Sequence, residues 1–463
     1  MRDLVFIAFL LAIFGAGFKK PFIFVLAYVY IDNVSPQRLT YLLLNSVPIS
    51  AIAFGLCILG WALMDNKADS RFAPRQGLML LLLVWCFITT KAADFPVEAA
   101  EKWEWVWKAL AFAIFLPLTL RTKLRIEALL FFMIASAASI VIVGGIKTLA
   151  SGGGYGSLNL MVSSNSGLYE GSTISTVAIA IIPVILWFAK HGTIVKPDWK
   201  VKGFCAAYIF ACLLIPIGTS TRTGLLCIGL LAVLMLRNTR RKFLYLGLIG
   251  AMGLAAVPFL PKSFTGRMET IKTYKGDESA STRLAVWAWT WEYVKEHPMG
   301  GGFEMYRQNR IRLDLQVSPD VAAGGQPGAA PAGAPADTSG SKVVYDKARA
   351  FHSAYFEMLG EQGWPGFLMW LGISVGGLLR MEVLRRRYRR PQPGEEWVAP
   401  LASALQSAHL CYLLGACFIA IAFQPFIYML VGAQIGLDTY LKRRREERAW
   451  RPIVRRRAAA VAV

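Results

Sequence analysis

Apolar residues in this chain come in runs separated by short polar stretches. The runs lie at about 4–18, 21–31, 39–63, 76–90, 107–120, 127–150, 171–190, 203–218, 222–236, 243–260, 364–384, 400–422 and 425–441. Most approach the roughly 20 residues that an α-helix needs to cross the hydrocarbon of a bilayer. The pattern predicts an all-α, polytopic membrane bundle of about 12 to 13 transmembrane helices. The first two runs are short and act as one hairpin or as tilted helices. Lys19 and Lys20 follow residues 1–18 at once, and a second run starts directly after them, so this segment is expected to stay as a helix rather than leave as a signal peptide.

One polar interruption stands apart by its length. It divides the chain into N-terminal helices at 1–260, a large loop at 261–352, C-terminal helices at 353–441 and a basic tail at 442–463. Inside the loop, 321–341 is rich in Gly, Ala and Pro and is expected to be disordered, because it has too little apolar surface to bury. That leaves 262–316 as an ordered first part and 342–352 as a return segment.

Composition changes this picture little. The 463 residues are 55% hydrophobic and 17% charged, against about 25% charged in soluble domains. A net charge of +21 would suggest nucleic acid in a soluble protein. Here more than half of the 50 Lys and Arg fall in seven short stretches between apolar runs: 19–20, 65–75, 121–125, 190–202, 237–242, 385–390 and 442–457. Basic residues stay on the cytoplasmic side during insertion. The charge is therefore topology, with added attraction to anionic membrane lipid, and no nucleic-acid partner is expected. The segments 32–38, 91–106, 151–170, 219–221, 261–351 and the turn at Gln424-Pro425 then lie outside. Trp103, Trp105 and Trp107 fit an interfacial aromatic belt. The seven cysteines lie in apolar runs and read as small core hydrophobes without a disulfide framework.

Chemistry then has few places to sit. Arg222 starts an apolar run in Thr219-Ser-Thr-Arg-Thr-Gly224, at the N-terminus of a helix, where backbone N–H groups favour an anion. The alternative is a snorkelling anchor. Arg283, Trp287 and Trp291 share one face of a helix, the aromatics toward lipid and the guanidinium toward headgroups, with or without a ligand. His352 begins the return to the membrane, either as a polar cap or as a proton acceptor near neutral pH. His191, His297 and His409 read as a cytoplasmic loop residue, a helix-boundary residue and a residue hydrogen-bonded within the bundle. Arg307, Arg310 and Arg312 either steer an acidic ligand or face solvent. Glu357 and Glu361 either orient His352 or cap its helix. The outer segments hold neither clustered carboxylates nor paired histidines, so neither a metal nor another cofactor is expected.

Several motifs resemble the O-antigen ligase and polymerase superfamily of bacterial envelope glycosyltransferases. They are Ser220-Thr-Arg222-Thr-Gly-Leu-Leu, Arg283-Leu-Ala-Val-Trp287, His297-Pro298-Met-Gly-Gly-Gly-Phe303, His352-Ser-Ala-Tyr-Phe-Glu-Met-Leu-Gly-Glu-Gln-Gly363 and Phe423-Gln-Pro-Phe-Ile-Tyr-Met-Leu. The N-terminus, with Lys20-Pro-Phe and Ser35-Pro-Gln-Arg-Leu-Thr, looks like the O-glycosylation ligases associated with exosortase systems. The resemblance implies a multi-pass protein of the bacterial inner membrane with a periplasmic active site. It implies transfer of a glycan from undecaprenyl pyrophosphate to a hydroxyl of a glycolipid, polysaccharide or protein Ser/Thr acceptor. Arg222 and Arg283 would hold the pyrophosphate and His352 would act on the acceptor. Arg307, Arg310, Arg312, Trp287, Tyr355 and Glu357 are the further substrate-contacting candidates. A polymerase of the same superfamily is the alternative, and a flippase for lipid-linked sugar is a third reading.

Overall fold

A computed structural model describes residues 2–40, 43–44, 46–67, 70–153, 167–237, 241–256, 278–316 and 341–449. Each of the apolar runs contains a helix among the described residues. In chain order these are α1 (Arg2–Lys19), α2 (Phe22–Val34), α3 (Pro36–Leu39), α4 (Ile49–Met64), α5 (Pro74–Lys91), α6 (Pro96–Thr119), α7 (Lys123–Ser151), α8 (Gly171–His191), α9 (Trp199–Gly218), α10 (Arg222–Leu236) and α11 (Lys242–Ala256). After the long polar interruption come α13 (Ala354–Arg387), α14 (Val398–Ala416) and α15 (Pro425–Ala449); α12 (Glu278–Glu296) lies within the interruption itself. The short α3 matches no run. Among the described residues, α7, α8, α9 and α13 are long and apolar enough to cross a membrane unaided, and α2, α4 and α10 are shorter apolar helices.

The bundle is organised around α8, which is almost wholly enclosed. It packs against α14, α9, α10 and α7. Its neighbours continue outward through the pairs α7–α9, α2–α7 and α13–α14, and α5–α6 packs against α13 and α15. The described parts of the basic stretches gather at one end of this bundle. There Arg121 and Arg125 bind Asp65 at 3.2 and 2.6 Å, Arg71 pairs with Glu446, and Arg448 pairs with Glu395. Arg237 reaches Glu382 at 3.3 Å, and the Arg125 guanidinium lies over Phe22, beside the turn that holds Lys19 and Lys20. Charge and helix direction therefore alternate in register, as the topology rule requires.

The described part of the loop is not wholly helical. β1 (Arg310–Gln316) and β2 (Ser341–Lys347) form an antiparallel hairpin, from Arg310 opposite Lys347 to Gln316 opposite Ser341. This is a small departure from the all-α expectation. It gives the return segment a strand partner that no sequence period announced. Of the stretch expected to be disordered, only Ser341 lies within the described residues, and there it opens β2. The rest of that stretch and the tail beyond 449 lie outside them.

Candidate active site

The end of the bundle opposite the basic cluster holds a cavity of about 790 Å³. Its walls come from α6 (Glu98, Lys102, Trp105), the start of α8 (Glu170, Ser172, Thr173), α12 (Arg283), the 304–307 turn, residues 350–352, α13 (Glu357, Glu361) and the 418–424 connection. The geometry of α13 sets the cavity's position. This helix is broken at Gly363, whose φ of 62° and ψ of −167° suit only a residue without a side chain. Pro365 follows, with no N–H for the carbonyl four residues back.

A break in an apolar helix frees backbone groups that must find partners. The 297–303 segment supplies most of them. Gly301 N donates to Gly360 O at 3.0 Å, Gly302 N donates to Glu361 O at 2.9 Å, and Trp364 N donates to Pro298 O at 2.9 Å. The indole of Trp85 donates to Gln362 O at 2.8 Å. The three glycines let two backbones touch: a Cβ on Gly300 would lie 2.5 Å from Gly363 N. This run of glycines is thus a clasp on the kink.

Below the kink lies a buried ion cluster. Lys102 Nζ sits 2.7 Å from Glu357 Oε1 and 2.8 Å from Glu361 Oε1. Glu357 also accepts from Ala422 N at 2.9 Å, and Glu361 accepts from Glu304 N at 3.0 Å. Phe303 and Phe423 flank the ammonium at 5.4 and 5.7 Å. Removing one member of such a group leaves an uncompensated buried charge. The cluster ties α6, α13, the 304 turn and the 418–424 connection into one floor.

Arg283 and His352 both line the cavity. His352 is exposed to it, with a left-handed backbone at φ 47°. Crowding by surrounding protein, and then the nearby Arg283 and Arg349 guanidiniums, hold its imidazole below the ordinary histidine pKa; Glu170 pulls the other way. The ring is therefore neutral at pH 7 and able to accept a proton. Glu170 caps α8, accepting from Ser172 N at 3.0 Å and Thr173 N. Arg307 lines the cavity but is tied to Glu304 at 3.2 Å and Glu98 at 3.6 Å.

The other candidates are placed differently. Arg222 opens α10 and does not line the cavity. It follows a hydroxyl cluster in which Thr221 Oγ1 lies 2.8 Å from Ser175 Oγ, one turn along α8 from the cavity residues Ser172 and Thr173. Arg310 is exposed at the start of β1; the side chain of Arg312 lies outside the described residues. Trp287 does not face lipid as its pattern suggested. An indole N–H seeks an acceptor, and this one donates to Phe351 O at 2.8 Å while the ring stacks on Phe356 at 5.1 Å. Tyr355 donates to Leu413 O at 3.2 Å and packs edge-on against Trp370. Glu357 is held by Lys102. His409 bonds Gln434 inside the bundle at 3.1 Å, as expected. Sequence reasoning missed Lys102, Glu170 and Glu304; a lysine between Glu101 and Trp103 in an otherwise outer segment was the available signal.

Fold and site together define a multi-pass membrane protein with a polar cavity at one end and an arginine and a histidine in its wall. Residues 207–371 match the O-antigen ligase family, and residues 1–193 match a family of unknown function, DUF5935. No curated protein matches the chain. The O-antigen ligase likeness covers the part of the chain that holds α10, Arg283 and His352.

Proposed function

We propose that the chain transfers a glycan from a polyprenyl diphosphate, undecaprenyl pyrophosphate in bacteria, to a hydroxyl of a glycolipid, polysaccharide or protein acceptor on the periplasmic side. The observation that carries this reading is that Arg283 and His352 share the wall of one cavity of about 790 Å³, where the guanidinium helps hold the imidazole's pKa below its ordinary value. In the reaction the acceptor oxygen attacks the anomeric carbon. Its proton passes to the imidazole of His352. The bond from the anomeric carbon to the diphosphate oxygen breaks, and polyprenyl diphosphate leaves as an anion. One displacement inverts the anomeric centre.

The leaving diphosphate gathers negative charge as the bond breaks. A guanidinium stays charged at any working pH and meets phosphate oxygens in a fork. Arg283 meets the diphosphate from the cavity wall, while Arg222, outside that lining at the start of α10, acts on it at longer range together with the field of the helix N-terminus. Removing such an electrostatic partner typically costs about 3 to 4 kcal/mol in the transition state.

The test is transfer in membranes of a host lacking the chromosomal copy and carrying each variant. Arg222→Ala, Arg283→Ala and His352→Ala are each expected to lower acceptor-linked glycan by about 10²-fold or more, with the protein still inserted. Wild-type transfer by His352→Ala removes the base, and wild-type transfer by both arginine variants removes the diphosphate site.

A further inference from the structure

The turn that carries His352 is held on its upstream side by two residues, and neither lines the cavity. On the upstream side, Asn309 grips Arg349 with its whole amide. Its Nδ2 donates to Arg349 O at 2.7 Å and its Oδ1 accepts from Arg349 N at 3.0 Å. The backbone adds Ala348 N to Asn309 O at 3.1 Å. Immediately before the histidine, Trp287 Nε1 donates to Phe351 O at 2.8 Å. The Phe351 ring is buried in a small core with Val286, Met305 and Ile311. Downstream, Glu357 N donates to Ser353 O and starts α13.

Between these anchors the chain is left-handed at Ala348, φ 55°, and at His352, φ 47°. Residues with a Cβ leave that region when nothing holds them. A free turn would relax and swing the imidazole away from the cavity. We infer that Trp287 and Asn309 are positioning residues that pin the His352 turn and so aim its imidazole into the cavity. This rests on the reading of His352 as the proton acceptor. It assigns Trp287 a task other than contact with lipid or sugar.

Trp287→Phe separates the two roles of the indole. Phenylalanine keeps an aromatic ring against Phe356 and loses only the donor to Phe351 O. Asn309→Ala removes the second anchor independently. Each purified full-length variant is treated with diethyl pyrocarbonate across pH, and modification is read at each histidine by mass spectrometry. The reagent attacks neutral imidazole, so its rate profile reports both exposure and protonation. Transfer in host membranes is measured alongside, with His352→Ala as the reference.

For both variants the pH midpoint of His352 modification is expected to move up toward ordinary histidine, with the His191 and His297 profiles unchanged. Transfer is expected to fall by tenfold to a hundredfold, because small misplacements of a reacting group have costs of that order. An unchanged His352 profile with wild-type transfer overturns the positioning role while leaving the base in place. Shifts at all three histidines overturn it too, as general damage to the fold. Wild-type transfer by His352→Ala overturns the base, and the positioning role with it.

Discussion

His352 accepts a proton only while its imidazole is neutral, so activity should fall as pH drops through its pKa. Crowding and the Arg283 and Arg349 charges place that pKa below the ordinary value, about 6.5. The acid limb of the activity profile should therefore lie below that value. Arg283 lowers the pKa, so replacing it with Gln should raise it and move the His352 midpoint to higher pH; NMR titration of labelled histidine reads this directly. A midpoint that stays put or falls would mean that the two side chains do not sense each other. Arg283 and His352 were picked out by the motifs around them that resemble the ligase superfamily; taken alone, an interfacial helix and a polar cap were the blander readings of the two. Lys102 was not so marked. Its partner Glu357 lies 255 residues away, and the stretch read only as an outer segment with interfacial tryptophans. Trp287 read as a lipid-facing aromatic and was not, because its hydrogen bond depends on where Phe351 returns.

At the scale of elements, α13 decides the site. Its break at Gly363 turns Glu357 and Glu361 onto Lys102 and leaves three carbonyls and one N–H to be met by the 297–303 clasp and Trp85. Gly363→Ala would place a Cβ 2.3 Å from Met299 C in a backbone conformation closed to alanine. It should cost on the order of 3 kcal/mol or more, seen as a lower unfolding temperature in detergent and loss of transfer. Wild-type stability would show that the clasp is not a close fit. The helices themselves could be read from hydropathy, since burial in lipid demands apolar runs of a set length. The kink could not: a helix was expected from 353 onward, but no local period marked the break at Gly363 that divides it. The hairpin of β1 and β2 escaped for a related reason. Its strands pair across an insertion, and register of that kind is set by tertiary contact rather than by local period.

Across the whole molecule, two opposite ends carry different chemistry. One end collects arginines in pairs with Asp65, Glu382, Glu395 and Glu446. The other carries the cavity with Arg283, His352 and the Lys102 cluster. This polarity was legible because insertion acts on short basic connections independently of how the helices later pack. Which helices surround α8 was not, because apolar faces alone do not choose neighbours within lipid. Nor was the place of Arg222 outside the cavity lining, since chain order is silent on depth. The most direct measurement is a cryo-EM map of the protein in a lipid nanodisc with an undecaprenyl diphosphate ligand. The account predicts density for both phosphates inside the cavity, within hydrogen-bond reach of Arg283 and facing the imidazole of His352. Phosphate density outside that cavity, with Arg283 and His352 contacting neither group, would contradict it.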